Sequence, residues 1–147
     1  MNECDVKLIN NRTSYKIIIL PVIVLNKAST NIIIFTLTEK SEIPVPFYLF
    51  SFTNSSSDTQ VLFNMADSSG YPRRFNEMTL IEADTALDPS NGRVEIEYGW
   101  GKYEVYEATS QTLDIAQTTG RIIEEGKYFV RGYPAEFNNN SGDDLYL

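Results

Sequence analysis

The sequence predicts an all-β fold: a single antiparallel β-sandwich, immunoglobulin-like or jelly-roll-like, with an N-terminal hairpin extension. Roughly eight short runs rich in β-branched and aromatic residues follow one another at regular spacing, separated by turn sequences. The segment from Tyr71 to Thr109 alternates apolar and charged residues on both sides of a turn-rich loop, as expected for a sheet with one solvated face. The chain shows no internal repeat and no long heptad pattern, so a coiled-coil fibre is not expected.

Two apolar runs near the N-terminus are expected to form a hairpin. They span Tyr15 to Leu25 and Asn31 to Thr38, and residues 26–30 join them. The runs are almost continuously apolar, so both faces require burial, and Pro21 places its strand at an edge or a bulge. Either a second subunit or the domain's own loops would cover such a hairpin. The predicted contact residues here are Ile17, Ile18, Ile19, Val22, Ile23, Val24, Ile32, Ile33 and Ile34.

The central part of the chain predicts a series of strands. Residues 47–52 and 60–65 are expected to pair across the turn at residues 54–58, and residues 75–82 form the next strand. Residues 84–92 then form a loop. After the strands described next, a short helical turn is expected around residues 113–116, and residues 122–131 complete the sheet.

The clearest hairpin is predicted between Arg93 to Tyr98 and Tyr103 to Ala108. Apolar partners meet only when Tyr98 lies opposite Tyr103, which leaves a four-residue loop at residues 99–102. Trp100 would then lie at the loop tip, either folded back over the sheet or exposed as a contact residue.

These segments predict three regions. An N-terminal attachment region covers residues 1–44, the sandwich core covers residues 45–132, and an acidic, Asn-rich tail covers residues 133–147. The apolar run at residues 17–25 is too short to span a bilayer and lacks a signal-peptide cleavage pattern, so we expect synthesis in the cytoplasm.

Composition argues against several kinds of function. The net charge is −8, so nucleic acid and anionic membrane surfaces are not expected as partners. The chain contains no histidine, which removes the commonest general base and metal ligand. Cys4 is the only cysteine and is expected to be an inert thiol. We therefore expect a protein that binds other proteins, with no enzymatic activity and no cofactor.

Two groups of charged residues are candidate sites. Glu82, Asp84 and Asp88 surround one loop and supply oxygen atoms of the kind that hold Ca²⁺, but their spacing matches no EF-hand. The sequence from Asp88 to Gly92 is itself a strong turn, which is the favoured interpretation. Arg73 and Arg74 either contact an acidic neighbouring subunit or are solvated, and the second is favoured.

A family resemblance adds a more specific expectation. Its matching pieces are FYLFSFTN, SSGYPRRFNEMTLIE, ALDPSNGRVEIEYG, KYEVYEATS followed by TLD, and IIEEGKYFV. In this order they resemble small virion structural proteins of crAss-like and related tailed phages of Bacteroidetes, over residues 47–130. The resemblance implies a non-enzymatic component of a podovirus-like particle.

From the resemblance we expect an auxiliary capsid or head-fibre protein, assembled in the host cytoplasm and located in the virion. Its partners would be other phage structural proteins, and the chain itself would form a homo-oligomer. One alternative is a neck or tail ring component of the same particle. The other is a surface carbohydrate-binding module that uses Trp100 and exposed tyrosines as a stacking platform.

Overall fold

The computed structural model describes residues 2–7, 14–19 and 22–132. In this part of the chain the fold is all-β, and two sheets pack face to face in an arrangement consistent with a β-sandwich. The prediction of an all-β sandwich is therefore confirmed. The predicted tail at residues 133–147 lies outside the described residues.

Ten strands occur within the described ranges. They are β1 (Asn2–Lys7), β2 (Ser14–Ile19), β3 (Val22–Asn26), β4 (Thr30–Phe35), β5 (Phe47–Asn54), β6 (Gln60–Phe63), β7 (Asn76–Glu82), β8 (Arg93–Val94), β9 (Gly99–Ala108) and β10 (Ile122–Arg131). Two single-turn 3-10 helices, Pro89–Asn91 and Ile115–Gln117, lie in the connections.

The strands form one large sheet and one small sheet. The large sheet has the order β3-β10-β9-β5-β6, and the small sheet has the order β4-β7-β8. β1 and β2 pair with each other as a separate antiparallel hairpin. Most pairs are antiparallel as predicted, but β3 runs parallel to β10 and β8 runs parallel to β7. Both sheets are therefore mixed, because each parallel pair joins strands that are separated by a long connection and not by a tight hairpin.

Aromatic side chains fill the space between the sheets. Phe52 stacks on Tyr128 with 4.8 Å between ring centroids, and Phe50 stacks on Phe63 at 5.7 Å. Tyr103 packs against Phe52 at 5.7 Å, and all five rings are essentially inaccessible to solvent. The alternation in the sequence produces this core, because every second residue of a strand points to the same face.

The N-terminal hairpin prediction is wrong. β3 belongs to the large sheet and β4 belongs to the small sheet, so the connection at residues 27–29 is an arch between sheets. Each strand buries alternate residues, with Leu25 and Phe35 in the common core. The boundary predicted at residue 44 therefore does not hold, since residues 22–37 are part of the sandwich.

The hairpin predicted between residues 93 and 108 is also wrong. β8 ends at Val94 and pairs with β7, whereas β9 begins at Gly99 and pairs with β5 and β10. Trp100 lies inside β9, opposite Phe129, and not at a loop tip. The pattern of apolar residues specifies which face of a strand is buried but not which strand lies beside it.

Local predictions were more successful. β5 and β6 form the expected antiparallel hairpin, in which Phe52 lies opposite Val61. The side-chain oxygen of Asn54 accepts hydrogen bonds from the backbone N–H groups of Ser56 and Ser57, which closes the turn. The predicted helical turn occurs two residues later than expected, at Ile115–Gln117, where the Asp114 carboxylate caps the Ala116 N–H.

Candidate interaction surface

β3 and β4 border the same side of the sandwich, because an arch of only three residues joins them. Each strand is the last in its sheet within the described residues, so each has one unpaired edge there. We call this pair of strands the edge side. The outer faces of the two strands expose four apolar side chains, Val22, Val24, Ile32 and Ile34, which are 50%, 43%, 64% and 57% exposed.

The two strands of the edge side lack the residues that commonly oppose strand addition. Exposed edges in soluble proteins are usually blunted by charged side chains, proline or a bulge. The sequences of β3 (VIVLN) and β4 (TNIIIF) contain no charged residue and no proline. Among the described residues, the edge side therefore combines strand edges that pair with no other strand with exposed β-branched side chains, which are the features needed for strand addition.

The arch between β3 and β4 is held by an ion pair. The Lys27 ammonium lies 2.8 Å from Glu82 Oε2 at the end of β7, and also donates to the Ile96 carbonyl at 2.7 Å. The two carboxylate oxygens of Glu82 accept the N–H groups of Ala28 and Ile96, each at 2.9 Å. Burial favours the neutral acid, but these donors outweigh it and lower the pKa of Glu82 below its usual value.

The structure does not bring the three acidic residues of the loop together. Glu82, one of the three candidate ligands, points into the arch and is satisfied there. Asp88 accepts a hydrogen bond from the Asn91 side chain at 2.6 Å, which stabilises the turn. Across the described ranges no group of three or more acidic, histidine or cysteine side chains could hold a metal ion. Arg73 and Arg74 are exposed in the loop before β7, so their role stays a prediction.

Trp100 lies on the outer face of the large sheet. Its ring packs against Phe129 with 4.9 Å between centroids, and the side chain remains 52% exposed. Phe129 of β10 lies between Trp100 of β9 and Val24 of β3 and pairs with each of them, so the three side chains lie side by side on this face. The predicted contact residue is thus accessible, but on an open sheet face next to the edge side.

The predicted contact residues divide into three groups. Val22, Val24, Ile32, Ile34 and Trp100 are exposed, and their role in binding stays a prediction. Ile23 and Ile33 point inward and are core residues, which corrects their assignment as contacts. The side chains of Ile17, Ile18 and Ile19 lie outside the described part of the structure.

The role of Lys27 and the inward orientation of Glu82 were missed from the sequence. A signal for Glu82 was present, because it continues the period-two series of Met78 and Leu80 and so must share their buried face. A buried carboxylate requires a cationic partner, and Lys27 is the basic residue of the arch.

Comparison with known proteins gives no relative. No protein-family model matches the chain, and neither the curated proteins nor the solved structures include a significant match. Within residues 22–132 and the two N-terminal strands, no helix has the length and apolar character needed to cross a membrane.

Proposed function

We propose that this chain is a non-enzymatic structural protein of a phage virion, which binds the capsid as an auxiliary or head-fibre component. The observation that carries the proposal is the edge side, with two uncharged edge strands bordering one side of a stable sandwich. The resemblance of residues 47–130 to structural proteins of tailed phages supports the choice of particle.

The mechanism is strand addition combined with apolar burial. Val22, Val24, Ile32 and Ile34 are each roughly half exposed, so covering each one contributes on the order of 1 kcal/mol. Association costs several kcal/mol or more because the two partners lose translational and rotational freedom, and the burial of these four side chains alone barely offsets that cost. Backbone hydrogen bonds along both edges supply the remainder and fix the orientation of the partner. A surface of this kind suits an assembly in which many copies are held at once.

The charge of the chain supports a protein partner. With a net charge of −8, most of the surface repels nucleic acid and other acidic polymers. β3 and β4 contain no acidic side chain, so an acidic partner can approach these two strands without repulsion between like charges.

Mass spectrometry of particles purified from the phage that encodes this chain tests the proposal. The chain should copurify with the major capsid protein through a density gradient, and its absence from intact particles would refute virion membership. Copy number then separates the placements. Hundreds of copies per particle support the capsid surface, whereas about a dozen indicate a ring at the neck or tail, which contradicts the capsid placement.

A further inference from the structure

A cleft with a mixed polar and apolar lining lies at one end of the sandwich. It opens where β5 begins and β6 ends, between the 3-10 turn at residues 89–91 and the segment at residues 111–117. The cleft consists of two adjoining depressions of about 310 and 520 Å³, which share Asn64, Ser90 and Gln111. This volume is in the range of small-molecule sites in proteins.

The buried side chain of Asn64 fixes the walls of the cleft. Its amide group donates to the carbonyl oxygens of Tyr48 at 2.9 Å and Thr112 at 3.0 Å, and its backbone N–H donates to the Pro89 carbonyl at 2.8 Å. Gln111 bridges the opening, since its Nε2 donates to the Ser90 carbonyl at 2.9 Å. Three chain segments are thus tied together without a ligand, so the cleft is preorganised.

The lining specifies the chemistry of a ligand. The residues that line the cleft include four amides (Asn64, Asn91, Gln111 and Gln117) and two acids (Asp67 and Asp114). The amide of Asn64 and the carboxylate of Asp67 already have hydrogen-bond partners within the protein, so they shape the walls. Among the described residues that line it there is no lysine or arginine. Amides and carboxylates suit hydroxyl groups, whereas a phosphate, sulfate or carboxylate ligand would meet acidic groups with no cation to balance its charge.

An aromatic surface adjoins these polar groups. Phe47 is 42% exposed at the start of β5, and Tyr48 lines the same depression. Gln111 and Ser90 are both exposed, so their side-chain oxygen atoms can reach a ligand. An aromatic ring beside convergent hydrogen-bonding groups suits a molecule with one apolar face and many hydroxyl groups.

We propose that this cleft binds a neutral saccharide. Phe47 contacts the C–H face of a sugar ring, and Gln111 and Ser90 exchange hydrogen bonds with its hydroxyl groups. The proposal is independent of virion membership. It also places a carbohydrate site away from Trp100, whose ring lies on an open sheet face where Lys102 and Lys127 occupy the next row.

A glycan array probed with the full-length chain tests the proposal. We expect binding to one or more uncharged oligosaccharides and no preference for sulfated or sialylated ones. Gln111→Ala and Phe47→Ala should each weaken the strongest signal at least about fivefold, which is the value of one lost hydrogen bond or contact. Trp100→Ala is the matched control, an exposed aromatic on the same sheet outside the cleft, and should leave binding unchanged.

Nuclear magnetic resonance of the unsubstituted chain provides a second measurement that does not depend on the folding of a variant. Titration with the best uncharged glycan should shift the side-chain amide resonances of Asn91, Gln111 and Gln117, with the backbone resonances around Trp100 unchanged. The proposal is overturned if the array shows no uncharged ligand, if charged glycans bind best, or if Trp100→Ala abolishes binding while Gln111→Ala retains it.

Discussion

The ammonium group of Lys27 lies 2.8 Å from the carboxylate of Glu82, at the point where the chain passes from the large sheet to the small sheet. Lys27 also lies 5.1 Å from the centre of the Tyr98 ring. Because both charged groups are largely removed from solvent, each depends on the other to offset its desolvation. The ion pair therefore sets the position of β3 relative to β4, and with it the geometry of the edge side.

Replacing Glu82 by Gln should destabilise the fold strongly. The change removes the negative charge and leaves the Lys27 ammonium buried without a counter-charge, which costs about 3–5 kcal/mol. Urea denaturation followed by circular dichroism gives the free energy of unfolding. Lys27→Met should also be destabilising, and the double variant should lose less than the two single losses added together.

Glu104→Gln provides the control for that comparison. Glu104 pairs with Lys102 at 3.3 Å, but the Lys102 side chain is 65% exposed, so the loss should stay below about 1 kcal/mol. Equal losses in Glu82→Gln and Glu104→Gln would show that the arch ion pair has no special role.

The same carboxylate predicts a pH dependence. The pKa of Glu82 is lowered in the folded state because its hydrogen bonds to Lys27, Ala28 and Ile96 outweigh the effect of burial. The unfolded chain, with a glutamate pKa of about 4.3, binds the proton more readily. The stabilisation is therefore complete above about pH 4.3 and is lost as the pH falls through the lower pKa of the folded state.

Urea unfolding of the unsubstituted chain and of Glu82→Gln between pH 7 and pH 3 measures this effect. The difference in unfolding free energy between the two proteins should shrink below about pH 4. Protonation removes the negative charge of Glu82 from the unsubstituted chain, and the substitution has already removed that charge from the variant. Parallel curves over the whole range would contradict the assignment.

The structure that could be predicted from the sequence is local structure. The turn from Asn54 to Asp58 lies between strands that are neighbours both along the chain and in the sheet, so its residues were sufficient to predict the β5–β6 hairpin. The pairing of β9 with β5 and β10 joins distant segments, and alternation in one strand carries no information about its neighbour. The hairpin predicted for β3 and β4 was wrong for a related reason, because the sequence of residues 26–30 suits either a hairpin turn or an arch between two sheets.

The cleft was also beyond sequence reasoning. Asn64 and Gln111 are 47 positions apart in the chain, and neither belongs to a recognisable motif. They meet only because the sandwich brings the end of β6 beside the segment after β9. The exposed faces of β3 and β4 were not predicted either, because both runs are almost continuously apolar and their sequence does not distinguish the buried face from the exposed one.

Gly101 provides a test of the core packing. It lies in β9 opposite Tyr128, and a Cβ atom added to it would come within 2.2 Å of Tyr128 Cζ. The tyrosine ring cannot move away because it is stacked on Phe52. Gly101→Ala should therefore lower the free energy of unfolding by about 1–3 kcal/mol or more, measured by thermal or urea unfolding.

Gly70→Ala is the matched control, because an added Cβ there meets no atom within 4 Å. The Gly101→Ala change should also cost less when Tyr128 is replaced by Val, since the ring that it would meet is gone. A similar cost in both backgrounds would mean that the strain arises from the backbone and not from this contact.

The edge side makes the last prediction. Lysine on an exposed edge opposes strand addition, because pairing would bring its charge beside a second chain and strip its water. Ile32 and Ile34 point into solvent, so the double variant Ile32→Lys, Ile34→Lys should fold with a stability change of about 1 kcal/mol or less. Sedimentation velocity of the full-length chain over a range of concentrations should show association, and this variant should remain monomeric.

Val45→Lys, which replaces an aliphatic residue exposed elsewhere, should associate like the unsubstituted chain. If the unsubstituted chain sediments as a monomer throughout, or if the double variant associates equally well, β4 is not a contact between copies.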